Sequence, residues 1–209
     1  GDLIVVGYAQ VGAESDWRTA NTESFKSTFT EENGYKLIFD DAQQKQENQI
    51  KAIRSFIQQD VDYIVVAPVV ETGWEAQEAG IPVILSDRQM DVDESLYECW
   101  VGGNFIKEGE TAGNWLADYL KAQGRDGEDI NIVTLQGTIG ASAQVGRTEG
   151  FGNILKQHDN WKMLDMQTGE FTQAKGQEVM ESFLKSYDDI DVVVAENDNM
   201  AFGAIDAIK

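Results

Sequence analysis

The chain has 209 residues, with 37 acidic against 16 basic side chains and a formal net charge of −21. So much acid repels phosphate backbones and anionic membrane surfaces, which are bound chiefly through Lys and Arg, and nucleic acid and membrane are therefore poor partners. No apolar run approaches the ~18 residues of a membrane span, and a single cysteine, Cys99, rules out a disulfide framework or a cysteine zinc cluster.

The first apolar β-rich run, Leu3 to Tyr8, has no charged-then-apolar leader before it, so the chain reads as soluble and either mature or trimmed. It is followed by AQVGAESDWRTA, where small and acidic residues precede a helix that opens at about Trp17. A second strand is expected over Tyr35 to Phe39, and a helix in which Ile50, Ile53 and Ile57 share one face comes next. Further strands are expected at Tyr63 to Val70 and Ile81 to Ser86. Gly34 and Gly80 stand where left-handed helix caps are wanted. Only ten residues, 71 to 80, separate the last two runs, a cramped length for a parallel crossover with its helix.

Cys99 reads as a buried strand residue, and the strand-like run that holds it ends at Val101 in VGGN, before a long helix opening at Phe105. We place a lobe boundary there, giving residues 1–104 and 105–209. The second half continues with a core-facing stripe of Ala112, Trp115, Leu116 and Tyr119, a strand at Ile130 to Leu135, and a polar stretch from Lys156 to Asn160 in which His158 reads as a solvated loop residue. A stripe of Val179, Phe183, Leu184 and Tyr187 and a strand at Val192 to Ala195 complete the pattern. Strands alternating with helices in this way predict α/β lobes, each a doubly wound parallel sheet. The chain stops within a new helix, AFGAIDAIK, which suggests that it is part of a larger protein.

Ligands of open α/β sheets bind just outside the carboxyl ends of the strands, so the residues at those ends are the candidates. In IPVILSDR a run that reads as a fully buried strand ends in Asp87 and Arg88, an acceptor and a forked donor suited to a polyhydroxylated molecule. An ordinary surface ion pair is the alternative. After the first strand come Glu14, Ser15, Asp16, Trp17 and Arg18: an N-cap role explains Ser15 or Asp16, while the Trp17 indole offers a flat face for the C–H side of a sugar ring and Arg18 can take hydroxyl oxygens. A lid over the core is the other reading of Trp17. In the second half, Arg147 follows LQGTIG, and Asn197 comes off the last strand. Gly-x-Gly-x-x-Gly after the first strand, a Gly-Lys-Ser/Thr loop and the Gly-x-Ser-x-Gly elbow are all missing. No nucleophile stands beside a base, and the scattered acidic residues lack calcium-loop spacing. The residues therefore predict no enzyme, no cofactor and no metal.

The segments AQVGAESDWRTANTES, AQQKQENQIKAIRSFIQQDVD, APVVETGW, GIPVILSDR, LQGTIGAS and GEFTQAKGQEVMESF together resemble the periplasmic sugar-binding proteins of ribose type, the solute-binding subunits of ABC importers, and most closely their galactofuranose-binding members. The resemblance implies a two-lobed, type I periplasmic-binding-protein fold. It also implies a monomer, periplasmic or extracellular or lipid-anchored on the outer face of the cytoplasmic membrane. Such a protein closes about a hinge on a monosaccharide, galactofuranose or a related furanose or pyranose, and delivers it to a membrane permease. Glu14 to Arg18, Asp87, Arg88, Arg147 and Asn197 match the family's sugar-binding positions, with Asn104 on the hinge side. Members carry a longer helix after Gly73-Trp74 and roughly a further third of chain that brings another carboxylate and a polar residue to the sugar. The competing readings are the effector-binding core of a lactose-repressor-type transcription regulator and an enzyme on a doubly wound fold.

Overall fold

The computed structural model describes residues 1–74 and 79–209. The chain divides into two compact units, Gly1–Gly103 and Asn104–Lys209.

In the first unit, β1 (Ile4–Gln10), β2 (Tyr35–Asp41), β3 (Tyr63–Val66), β4 (Val83–Ser86) and β5 (Cys99–Val101) form one parallel sheet in the order β2-β1-β3-β4-β5. Alternation along β1 and β3 sends side chains to both faces. Ala9, Ile64, Val66 and Leu85 pack with Ala52 and Phe56 of α2 (Gln46–Gln58), and Val6, Tyr8 and Val65 cover the other face with Phe25 of α1 (Asp16–Thr28) and Phe29 just beyond it. Fully burying a side chain such as Phe56 contributes roughly 1.5–3 kcal/mol. Gly34 takes the left-handed conformation, φ 89°, that ends the turn before β2, and Gly80 is also left-handed, φ 68°. The helix expected ahead of Gly80 falls partly outside the described residues.

The second unit is a parallel sheet, β7-β6-β8, made of β6 (Ile130–Gln136), β7 (Trp161–Thr168) and β8 (Val192–Ala195). Ile130 and Ile132 pack with Leu116 and Leu120 of α3 (Phe105–Ala122) and Phe151 and Ile154 of α4 (Ser142–Leu155). Val133 and Leu135 pack on the opposite face with Val179, Met180 and Phe183 of α5 (Gln173–Ser186) and Met200 and Ala204 of α6 (Asp198–Ile208).

Several expectations are corrected. Cys99 lies in a strand but is exposed, because β5 is the sheet's edge. The run from Tyr63 ends as a strand at Val66, and β4 begins at Val83, with Val83 and Ile84 only half-buried. Beside them an apolar cavity of about 100 Å³ is lined by Ile53, Ile57, Ile81, Val83, Met90 and Tyr97 among others. On α2 the deepest residues are Gln49, Ala52 and Phe56, one position before the isoleucines, which are half-buried. On α3 only Leu116 of the expected stripe is buried, and Trp115 and Tyr119 face outward and stack on each other, ring centroids 5.1 Å apart. Leu184 is exposed too. His158 is half-buried and stacks on Trp161 at 4.1 Å. The strand β7 is unforeseen: its Lys162, Asp165 and Gln167 hide the apolar signal, as an edge strand permits.

Candidate functional site

In the first unit the loops that leave β1, β3 and β4 meet at the carboxyl edge of the sheet. Gln49, fully buried on α2, ties β1 to the loop after β3: its side-chain amide donates to the carbonyls of Ala67 (2.7 Å) and Ala9 (3.3 Å) and accepts from the Val69 N–H (2.9 Å). Gln10, also buried, donates to Asn21 and Thr22 of α1. The Tyr8 hydroxyl donates to the same Asn21 oxygen at 3.0 Å, and burial pushes its pKa up to about 12.

Arg18, Asp87, Arg88 and Glu14 come together at this edge. Ser15 caps α1 by accepting from the Arg18 N–H, so the helix opens at Asp16, one residue before the expected Trp17. Arg18 is 2% exposed, and its guanidinium donates to Glu14 Oε1 (2.9 Å) and Asp87 Oδ2 (2.7 Å). Burial alone would lower its pKa, but these two carboxylates more than offset that and hold it above the ordinary value. Arg88 donates to the Val69 carbonyl at 3.0 Å and to Glu14 Oε1 at 3.4 Å. The other Glu14 oxygen, Oε2, is buried and has no hydrogen-bond partner among the described residues. Asp87 itself is left-handed, φ 63°, an uncommon state for a residue with a Cβ. Its N–H donates to Val101 and its carbonyl accepts from the Trp100 indole, which hold it there. Strain of this kind is concentrated at binding and catalytic sites. Trp17 is 57% exposed, with the Arg18 guanidinium 4.9 Å from its ring centre, and Asp16 is exposed beside it.

In the second unit Asn104 is exposed and caps α3, accepting from the Lys107 N–H. Arg147, in the second turn of α4, lies over the Phe105 ring at 5.2 Å and donates to Glu108 Oε2 (2.9 Å) and to the main-chain carbonyl of Glu196 (2.6 Å). Asn197 caps α6 by accepting from the Met200 N–H and donates to the Phe171 carbonyl at 2.9 Å. Phe171 is buried and left-handed at φ 63°, as is Glu170 at φ 55°, a marked departure for a bulky residue.

Sequence reasoning missed Gln49, Phe171 and Glu196. Glu196 is 6% exposed, and its carboxylate accepts from the Gly137 N–H (2.9 Å) and the Thr148 hydroxyl (2.7 Å). Burial is the largest influence on it and pushes its pKa up to about 7, against those hydrogen bonds and the Arg147 charge. A polar residue on the helical face of Ala52 and Phe56 was the signal for Gln49. A carboxylate between an apolar strand and a helix cap was the signal for Glu196. Among the described residues no group of three His, Cys, Asp or Glu could hold a metal ion, and no helix is long and apolar enough to cross a membrane.

The model of a periplasmic binding protein domain matches residues 6–209. The galactofuranose-binding protein YtfQ of Escherichia coli is 48% identical over 99% of this chain and 66% of its own length. For the ribose import binding protein RbsB of Bacillus subtilis the figures are 35%, 84% and 56%. A crystal structure from Mycobacterium smegmatis in complex with β-D-fucofuranose aligns with a TM-score of 0.92 at 51% identity, covering 98% of this chain and 68% of that one. The periplasmic component of the arabinose ABC transporter from Shewanella sp. ANA-3, bound to α- and β-L-arabinofuranose, aligns with a TM-score of 0.89 at 48% identity and the same coverage. The chain thus spans about two thirds or less of the length of these curated relatives. Matched over nearly all of its residues and alike in fold to solved members, the chain belongs to the periplasmic binding proteins, with their type I α/β fold.

Proposed function

We propose that the chain captures a monosaccharide in furanose form and hands it to the permease of an ABC-type sugar importer, acting as a monomer in the periplasm or at the cell exterior and without chemical change to the sugar. The carrying observation is the buried Oε2 of Glu14, without a hydrogen-bond partner among the described residues, beside the guanidinium groups of Arg18 and Arg88 and the carboxylate of Asp87. A buried acceptor left unmet costs roughly 1–3 kcal/mol, and a sugar hydroxyl is a donor of the right size to meet it. Arg88 and Asp87 then serve further hydroxyls, the exposed Trp17 indole covers the ring's C–H face, and Glu14, Ser15 and Asp16 shape the loop. For the second unit, taken by itself, Arg147, Asn197 and Asn104 are the polar groups proposed to take sugar hydroxyls. Relatives that carry fucofuranose and arabinofuranose support the furanose form, and relatives that are import binding proteins favour transport over a repressor core.

A thermal-shift screen with L-arabinose, D-galactose, D-fucose, D-ribose and methyl β-D-galactofuranoside tests this. A ligand at a thousand times its Kd adds about 4 kcal/mol, roughly 8–16 °C in Tm for a chain of this size. A large shift with the furanoside or with a sugar that populates a furanose is expected. No shift with any of the five overturns the assignment, and recovery of an altered sugar would mean an enzyme.

A further inference from the structure

Glu196 sits between the end of β8 and the cap of α6 and touches three things at once. Its carboxylate takes the Gly137 N–H of the turn after β6 and the Thr148 hydroxyl of α4, and its main-chain carbonyl takes Arg147. The Thr148 oxygen is saturated, since it accepts from Gln136 (3.2 Å) and Gln144 (3.0 Å) while donating to Glu196. A hydroxyl has one proton and two lone pairs, so no acceptor remains there for a carboxylic proton, and the network is built for an ionised Glu196. A crevice of about 280 Å³, lined by Thr134, Glu149, Lys156, Met163 and Met166, reaches the carboxyl and provides a route for water. The charged groups that face it are Arg147 and Glu149 of α4 and Lys156 just past its end, with Glu108 of α3 on the far side of Arg147, whereas β6 and β7 present only Thr134, Gln136, Met163 and Met166.

We propose that Glu196 is a positioning residue whose protonation state sets the place of Arg147 and, through it, the affinity of this unit for a sugar hydroxyl. Ionised, the carboxylate makes two charge-assisted hydrogen bonds, which are roughly twice as strong as neutral ones, and these fix the Gly137 turn and the α4 residue next to Arg147. Protonation weakens both and removes one of the two negative charges near the guanidinium, leaving Arg147 to the Glu108 carboxylate at 2.9 Å. The effect on a sugar rests on the role of Arg147 proposed above. A carboxyl raised to about 7 by burial changes state close to neutral pH. Binding favours the ionised form, so affinity falls as pH drops through neutrality, and a sugar that binds near pH 7 expels part of a proton.

Nitrogen-15 NMR of the sugar-free chain from pH 5.5 to 8.5 should show the Gly137 amide and the Arg147 Nε–H moving with one midpoint near 7, and neither moving in Glu196→Gln. That outcome supports the proposal whatever the sugars do. A Gly137 signal that is flat or titrates below pH 5.5, or an Arg147 signal that does not follow it, overturns it. Isothermal titration with L-arabinose and D-galactose reads the consequence: wild type binds roughly tenfold more weakly at pH 5.5 than at 8.5, and Glu196→Gln stays at the weaker level throughout. Equal slopes in the two proteins overturn the proposal. Absence of binding at every pH overturns only the sugar reading.

Discussion

Arg18 is held on two sides by carboxylates and is almost fully buried, so its first task is to keep Glu14 and Asp87 in place with their charges matched. Breaking a buried ion pair by removing one partner costs about 3–5 kcal/mol, because the other charge stays behind uncompensated. Arg18→Ala is therefore expected to lose about that much stability in urea unfolding, far more than Arg125→Ala, a half-buried side chain with Glu128, one of its two partners, exposed. A loss below about 1 kcal/mol would mean that Glu14 and Asp87 find other partners. The sequence showed Arg18, Asp87, Arg88 and Arg147 because charged residues at the ends of apolar strands are legible one strand at a time. It did not show that Arg18 and Arg88 share Glu14, since that contact joins positions 74 residues apart. Nor did it show Gln49 or Glu196, whose meaning lies in the main-chain groups they reach after folding.

Strands that end in apolar runs were legible, and so were the helices between them, because one periodicity separates each kind from the other. What could not be read was the polar edge strand β7 and which helix face is the buried one on α2 and, above all, on α3. The helix meets α4 through glycines: a Cβ at Gly113 would lie 2.6 Å from Ile154 Cβ, and one at Gly146 would lie 2.6 Å from Phe105 Cβ, while Gly109 and Gly150 face the backbone of the other helix. Close approach on small residues takes the place of the large apolar stripe and leaves Trp115 and Tyr119 outside. This contact also fixes Arg147, the residue after Gly146. Gly150→Ala should cost about 2–3 kcal/mol, since α3 must move away. Gly152→Ala on the same helix, with nothing within 4 Å of its Cβ, should gain about 0.5–1 kcal/mol from helix propensity alone. Opposite shifts of the urea midpoint are the expected result, and shifts of the same sign would mean that the helix pair relaxes without cost.

Each unit has cores on both faces of its own sheet, so what acts on the molecule as a whole is its charge. At −21 over 209 residues the compact state repels itself, and the unfolded chain relieves much of that by expansion. The ion pairs most able to oppose this repulsion, around Arg18, are buried and therefore little screened, whereas exposed pairs such as Lys162 with Asp129 contribute little in any case. Added salt should then screen mainly repulsion. Raising NaCl from about 10 mM to about 150 mM shortens the Debye length from ~30 to ~8 Å and is expected to increase stability by on the order of 1 kcal/mol. The urea midpoint would rise with the m-value unchanged, because the surface exposed on unfolding is the same. KCl should act as NaCl does, since the effect is screening and not ion binding. A midpoint that falls with either salt would show that attractive pairs, not the net charge, govern the stability of this acidic chain.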